Sequence, residues 1–156
     1  EGGSIFHFTI NAIKHSDEKI KDLSLEFHKK SKDVPSLNIL VADDDPVNLK
    51  VATLMLEEQK HKVTTASDGL ETVEKVKSGN YDLVFMDIGM PNMDGYEATR
   101  IIKQNKDTKN IPIIAVTAKA MSDDKQKALE AGCDDYITKP LQMSLLSSVI
   151  EAWIKK

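Results

Sequence analysis

The sequence has little that suits an extracellular, membrane-spanning or nucleic-acid-binding protein. Its single cysteine, Cys133, cannot form an internal disulfide, which fits a reducing cytoplasm. No apolar run reaches the roughly 20 residues that a membrane span needs. The N-terminus shows neither the basic flank nor the cleavage site of a signal peptide. The 21 basic and 25 acidic residues give a net charge of −4. We therefore expect a cytoplasmic protein without direct contact to a membrane or to nucleic acid.

What the sequence does contain is an alternation of short apolar runs with segments of helical period. At 156 residues, the chain is long enough for one globular domain with a short appendage. The predicted strands are Leu37 to Ala42, Lys62 to Ala66, Tyr81 to Met86, Ile111 to Val116 and Asp135 to Thr138. The predicted helices are Pro46 to Gln59, Leu70 to Lys77, Gly95 to Gln104, Ser122 to Ala131 and Met143 to Ile154.

Cap residues support several of these boundaries. Asp45 precedes Pro46, which predicts an N-cap followed by proline at the first helical position. Gly79 follows the second helix and Gly132 the fourth, and we expect both glycines to adopt the left-handed conformation that ends many helices.

The strands predict an α/β fold with a doubly wound, five-stranded parallel sheet. Runs such as "LVFM" and "IIAV" are apolar on both faces, so helices should cover both sides of the sheet. Right-handed crossovers leave few arrangements for five strand-helix units, and one common solution is the flavodoxin-like strand order 2-1-3-4-5. In that order, ligands bind at the carboxyl ends of the strands, beside the point where the chain reverses direction across the sheet.

Charged and hydroxyl side chains follow the strands at that edge. Asp43 and Asp44 follow the first strand, Asp87 the third, Thr117 the fourth and Lys139 the fifth. Three carboxylates gathered there would repel by roughly 1 to 4 kcal/mol per pair at about 4 Å, which left alone would destabilise the fold. Mg²⁺ would remove that cost, and a carboxylate beside it can attack a phosphoryl group. The Lys139 ammonium and the Thr117 hydroxyl would then contact phosphoryl oxygens.

Four motifs in this order and spacing, "VADDDPVN", "MDIGMPNMDG", "AVTA" and "YITKP", resemble the response-regulator receiver domain of two-component signalling. The resemblance covers residues 37–156. It implies that Asp87 is the phosphoacceptor, that Asp44 is a direct Mg²⁺ ligand, and that Asp43 acts largely through bound water. The backbone carbonyl of Gly89 would be a further metal ligand.

The resemblance also implies a switch. Thr117 and Tyr136 would be the switch pair, Lys139 the phosphate contact, and Lys139-Pro140 a cis peptide. A partner phosphohistidine would supply the phosphoryl group, and the domain would catalyse its own phosphorylation and dephosphorylation. The result would be a changed surface on the fourth helix, fifth strand and fifth helix, or onward transfer to a histidine phosphotransfer protein.

Residues 1–36 differ from the rest. "EGGSIFHFTI", residues 1–10, resembles the final strand of a histidine-kinase ATP-binding domain, and residues 11–36 are interpreted as a polar linker with some helical spacing. We expect this chain to be the C-terminal fragment of a hybrid sensor kinase. The parent kinase is expected to be membrane-attached. An orphan strand at Ile5 to Ile10 would seek a sheet edge and form a dimer.

Other interpretations remain open at this point. A Mg²⁺-dependent phosphohydrolase of the haloacid dehalogenase type also uses an aspartyl-phosphate, but the threonine of its Asp-x-Asp-x-Thr motif is absent from "DDDPV". A receiver that has lost phosphorylation would be an interaction module. Tyr136 could be a plain core aromatic and Cys133 a small buried filler. Solvated or packing roles are expected for His7, His15, His28 and His61.

Overall fold

The computed structural model of the protein describes residues 35–118 and 122–154. The strands are β1 (Asn38–Ala42), β2 (Lys62–Ala66), β3 (Leu83–Asp87), β4 (Ile113–Thr117) and β5 (Asp135–Thr138). The helices are α1 (Pro46–Glu58), α2 (Gly69–Ser78), α3 (Gly95–Gln104), α4 (Ser122–Ala131) and α5 (Met143–Ile154). The predicted N-terminal strand, most of the linker, the dimer contact, His7, His15 and His28 lie outside the described residues.

The five strands form one parallel sheet in the order β2-β1-β3-β4-β5, as predicted. Strand neighbours that are distant in sequence are held in register, with Ala42 opposite both Ala66 on β2 and Met86 on β3. Asp87 at the end of β3 is paired with Val116 on β4. All five carboxyl ends therefore meet at one edge of the sheet, and the chain reverses direction between β1 and β3.

The core lies on both faces of the sheet, because alternate strand residues point to opposite sides. On one face, Leu40, Val84 and Ala115 pack with buried residues of α2, α3 and α4. On the other, Val41 and Phe85 pack with buried residues of α1 and α5. Every residue of β3 is buried. A strand enclosed in this way is a rigid support for the carboxylate at its end.

The predicted bounds of three strands were wrong by one or two residues. β1 begins at Asn38 and not at Leu37. β3 begins at Leu83 and not at Tyr81, and β4 begins at Ile113 and not at Ile111. Pro112 has no amide hydrogen to donate to the sheet, and its carbonyl accepts from Val84 N at 2.9 Å. β3 and β4 also end one residue later than predicted, so Asp87 and Thr117 are themselves strand residues.

Helix caps account for most of the element boundaries. Asp45 caps α1 by accepting from Val47 N at 2.8 Å, with Pro46 in the first turn, as predicted. Gly132 has a φ of 100°, which confirms its left-handed conformation.

The prediction for Gly79 was wrong, because its φ is −117° and its backbone is extended. Its amide still ends α2 by donating to Lys75 O at 2.9 Å. Glycine suits this position because a Cβ would lie 2.7 Å from the Tyr81 ring.

Two further side chains have the packing roles that the sequence predicts. Cys133 is buried, and its Sγ lies 3.6 Å from the Thr99 hydroxyl. His61 is buried at the start of β2, where its Nδ1 accepts from Leu37 N at 3.3 Å. In the part of the chain that the structure describes, the helices are too short or too polar for any to cross a membrane.

Burial of His61 makes the stability of the fold sensitive to acid. Burial lowers the pKa of His61 from its ordinary value of 6.5, because the charged imidazolium loses its hydration. The unfolded chain therefore binds a proton that the folded chain resists. The free energy of unfolding should be fully retained above about pH 6.5 and should fall below it, by at most about 1.4 kcal/mol per pH unit. Urea denaturation of wild type and His61→Gln between pH 7.5 and 5.5 measures this slope. Equal slopes in the two proteins would refute the assignment.

Candidate functional site

Three carboxylates meet at the carboxyl edge of the sheet. Asp43 and Asp44 follow β1, and Asp87 is the last residue of β3. One oxygen from each lies within 4.8 Å of the other two. Asp43 and Asp87 are 3% and 5% exposed, whereas Asp44 is exposed. The structure thus brings together the three acids that the sequence singled out.

The Lys139 ammonium joins this cluster from the end of β5. Its Nζ lies 2.8 Å from Asp43 Oδ2 and 2.9 Å from Asp87 Oδ2. Burial alone would lower the pKa of Lys139, but hydrogen bonds and charge from both carboxylates outweigh burial and raise it. Part of the repulsion among the acids is therefore offset by this lysine even without a metal.

Hydrogen bonds orient two of the three carboxylates. Asp43 Oδ1 accepts from Asp45 N at 2.9 Å and from Asn48 Nδ2 at 3.1 Å. Asp87 Oδ1 accepts from Gly89 N at 3.2 Å. The remaining carboxylate oxygens, Oδ2 of Asp43 and Oδ2 of Asp87, are the ones shared with Lys139. Hydrogen bonds therefore orient the two buried acids, while the exposed Asp44 is free of such bonds among those the structure records.

Sequence reasoning missed two contributors to this site. Asn48 lies in the first turn of α1 and donates a hydrogen bond to the Asp43 carboxylate. Its position at the end of the motif "VADDDPVN" could have indicated this contact. Gly95 opens α3, and a Cβ there would lie 2.2 Å from the backbone oxygen of Asp87. Its amide donates to Ile88 O at 3.1 Å, which closes the loop that follows β3. Gly95 is a position where only glycine allows the approach.

The remaining predicted residues lie around the acidic cluster. Thr117 is half-buried at the end of β4, one residue beyond the strand partner of Asp87. Gly89 is exposed in the loop after β3. Tyr136 is half-buried on β5, packs against the core face formed with α2, α3 and α4, and has Lys125 Nζ 5.3 Å from its ring centre. The Lys139-Pro140 bond is cis, as predicted.

The residues present fit a small hard cation. Mg²⁺ binds oxygen at 2.0 to 2.1 Å, so its ligands lie at most about 4.2 Å apart. Neighbouring ligands of such an ion lie about 2.9 Å apart, so the oxygens of Asp43, Asp44 and Asp87, which lie within 4.8 Å of one another, are close enough to bind one ion directly or through its bound water after a modest side-chain adjustment. Exposed Asp44 can make that adjustment without disturbing the core. The arrangement can hold one divalent cation beside a buried carboxylate.

Comparison with known proteins identifies similar sequences. A sequence model of the response regulator receiver domain matches residues 39–151. The chain is 42% identical over 128 residues to hybrid signal transduction histidine kinase G of Dictyostelium discoideum, covering 80% of this chain and 4% of that kinase. It is 38% identical over 115 residues to signal transduction histidine-protein kinase BarA of Escherichia coli strain K12, covering 74% of this chain and 12% of that kinase. The chain thus spans a small part of these relatives.

Solved structures agree with the fold. The receiver domain of sensor histidine kinase PA1611 from Pseudomonas aeruginosa PAO1 is 36% identical with a TM-score of 0.73, over 78% of this chain and all of that one. That structure has a magnesium ion coordinated in its active-site cleft. A chain in the complex of the Saccharomyces cerevisiae phosphotransfer protein Ypd1 with the Ssk1 receiver domain is 32% identical with a TM-score of 0.74, over 78% of this chain and 91% of that one.

The ion pairs of Lys139 generate a first prediction for the site. Lys139→Met should destabilise the metal-free protein by about 2 kcal/mol or more, because it leaves two buried carboxylates without their counter-charge. Mg²⁺ should then raise the melting temperature of Lys139→Met more than that of wild type, where tenfold excess over the dissociation constant adds about 1.4 kcal/mol. Differential scanning fluorimetry with and without Mg²⁺ measures both effects.

Lys75→Met is the matched control. Lys75 pairs with Glu71 at 2.6 Å, but both side chains are more than a third exposed. Its loss should cost below about 1 kcal/mol and leave the response to Mg²⁺ unchanged. Equal Mg²⁺ responses in wild type and Lys139→Met would show that Lys139 is not the counter-ion of this cluster.

A second prediction compares Gly89, in the loop after β3, with Gly95, the first residue of α3. Gly95→Ala should destabilise the protein by about 1 to 3 kcal/mol and weaken Mg²⁺ binding, because its Cβ displaces the Asp87 backbone. Gly89→Ala should be neutral within about 0.5 kcal/mol, since a Cβ at Gly89 meets nothing within 4 Å. Urea denaturation and Mg²⁺ titration distinguish the two. The close-approach argument fails if Gly95→Ala behaves like Gly89→Ala.

Proposed function

The chain belongs to the response regulator receiver domain family of two-component phosphorelay signalling, and on this premise we propose that Asp87 is its phosphoacceptor. One observation carries the proposal. The buried Asp87 carboxylate lies at the end of a fully buried strand, within 4.8 Å of two further acids and 2.9 Å from the Lys139 ammonium. The same position offers a nucleophile, a cation site and a fixed positive charge.

The chemistry is a phosphoryl transfer from a partner phosphohistidine. An Asp87 oxygen attacks phosphorus and forms the new P–O bond, while the P–N bond breaks and the imidazole nitrogen leaves with the electron pair. The carboxylates of Asp43, Asp44 and Asp87 and the backbone carbonyl of Gly89 would hold Mg²⁺, which would neutralise negative charge on the transferred group. Lys139 contacts a phosphoryl oxygen with the ammonium that it now shares between two carboxylates.

The geometry around Asp45 favours this function over a phosphohydrolase. The haloacid dehalogenase motif Asp-x-Asp-x-Thr places a second acid two residues after the first. Asp45 is the acid at that spacing from Asp43, and its Oδ1 is committed to capping α1 through Val47 N. The threonine of the motif is also absent, because Val47 stands in its place.

The switch is proposed to run through Thr117 and Tyr136. The Thr117 hydroxyl moves toward a phosphoryl oxygen on Asp87, and the Tyr136 side chain follows into the space that Thr117 leaves. Tyr136 on β5 packs against the core on the face of the sheet that α2, α3 and α4 cover. The Lys125 ammonium of α4 lies near its ring. Its movement would shift the population of states of the α4–β5–α5 surface.

The partners are proposed to be a phosphohistidine donor and a histidine phosphotransfer protein. The co-crystallised receiver of Ssk1 with Ypd1 supports the second of these. α1 also exposes Val47, Val51 and Leu54, which are 66%, 41% and 53% accessible. They follow helical spacing and begin beside the acidic site, where a donor must approach.

The parent protein is proposed to be a hybrid sensor kinase, because one relative is named a hybrid signal transduction histidine kinase and another a signal transduction histidine-protein kinase. Residues 1–10 would be the end of its ATP-binding domain, 11–36 the linker and 37–156 the receiver. The receiver would work in the cytoplasm. A dimer formed through residues 5–10 is proposed as one that the parent protein need not share.

The test is phosphorylation by a small donor. With Mg²⁺ and acetyl phosphate, intact mass spectrometry should detect one phosphoryl adduct on wild type and none on Asp87→Asn. Asp44→Asn should slow the adduct by at least about tenfold, since a metal ligand is lost. Asp45→Asn is the matched control, because asparagine caps helices equally well and the adduct should be unchanged. An adduct that persists in Asp87→Asn, or repeated turnover of phosphate esters, would overturn the proposal.

A further inference from the structure

The loop that joins β3 to α3, residues 88–94, is held to the start of α2 by two hydrogen bonds, which we call the clasp. Asn92 Nδ2 donates to Asp68 Oδ2 at 3.1 Å, and Gly69 N donates to Met93 O at 3.2 Å. The contact is close, because a Cβ on the buried Gly69 would lie 2.4 Å from Met93 O. The other oxygen of Asp68 caps α2 by accepting from Glu71 N at 2.8 Å. Two separate elements are therefore joined by side chain and backbone.

The clasp holds a turn that the chain does not adopt readily. Asn92 has a φ of 64°, and Met93 N donates to Pro91 O at 2.7 Å, so a three-residue turn closes around it. Turns of this kind with positive φ are rare and strained, even though asparagine tolerates the region better than most residues. Such a conformation persists where surrounding contacts stabilise it. Here the hydrogen bonds with Asp68 and Gly69 at the start of α2 stabilise it.

The same loop determines how Asp87 is aimed. Gly89 N donates to Asp87 Oδ1 at 3.2 Å. Gly95 N and Ile88 O close the base of the loop at 3.1 Å, and Met90 anchors its middle at 7% exposure. Asn92 is three residues from Gly89, so a turn released at Asn92 loosens the amide that orients the acceptor.

We propose that Asp68 and Asn92 are positioning residues for the acceptor loop, which set the placement of Gly89 against Asp87 without touching either. The proposal rests on the proposed function, in which Asp87 accepts phosphate and Gly89 contributes a metal ligand. α2 thereby acts on the site from outside it, through one side-chain hydrogen bond and one backbone hydrogen bond.

A reversal of the hydrogen bond tests this role. Asn92→Asp keeps a residue that tolerates positive φ but sets two carboxylates against each other. Asp68→Asn in the same chain restores the bond in the opposite direction, since its amide donates to the carboxylate at position 92. Asparagine also keeps the cap of α2. The variants are thus Asn92→Asp, Asp68→Asn and the double variant.

Two measurements on the whole chain report the result. The first is the Gly89 amide resonance of the metal-free protein in ¹H–¹⁵N NMR spectra, which reports its hydrogen bond to Asp87. The second is Mg²⁺ affinity by titration. We expect Asn92→Asp to move the Gly89 resonance and weaken Mg²⁺ binding about fivefold, the worth of one hydrogen bond. The double variant should return to within about twofold of wild type.

Whether Asn92→Asp weakens or tightens Mg²⁺ binding distinguishes the loss of the hydrogen bond from the effect of the added charge. An added carboxylate near the site attracts a cation, so charge alone predicts tighter binding in Asn92→Asp. Tighter or unchanged Mg²⁺ binding, an unmoved Gly89 resonance, or a double variant that is no better than Asn92→Asp would each overturn the inference. If wild type itself forms no adduct on Asp87, the proposed function fails instead, and the metal-free Gly89 resonance still reports on the clasp.

Discussion

The ammonium of Lys139 lies between two buried carboxylates, and the rest of the site depends on this contact. Asp43 and Asp87 come from different strands, and without a shared cation their burial at the sheet edge would be costly. One ammonium against three carboxylates still leaves a formal excess of negative charge. The site is therefore stable enough to fold and still negative enough to attract a divalent cation.

That balance explains why the acids have different surroundings. Asp43 and Asp87 are held by backbone and side-chain donors, so their second oxygens point in fixed directions. Asp44 is exposed and can adjust to a ligand. Two fixed acids and one exposed acid suit a cation that demands a regular geometry, because the exposed side chain can adjust to it. The buried strands β1 and β3 provide the rigidity, because both of their faces are covered by helices.

Much of the fold was predictable from the sequence, because its signals are local. Apolar runs of strand length, helical periods and the Asp45-Pro46 cap identified all ten described elements, several with exact bounds. The errors came where local patterns are ambiguous. Ile111 looked like strand but precedes Pro112, and Gly79 looked like a left-handed cap but serves a close contact with Tyr81. The three acids and Lys139 were found because parallel strands end at a common edge.

The sequence by itself determined the order of strands and helices, the need for helices on both faces of the sheet and the presence of acids at the strand ends. These follow from periodicity, propensity and capping, which act over a few neighbouring residues. Only the tertiary structure decided that Lys139 joins Asp43 to Asp87, that Gly95 lies against the backbone of Asp87, and that Asn92 bonds Asp68. Lys139 and Asp87 are 52 residues apart in the chain. Contacts over such separations are set by strand register and crossover geometry, which fix atoms to tenths of an ångström and leave no pattern in a local stretch of sequence.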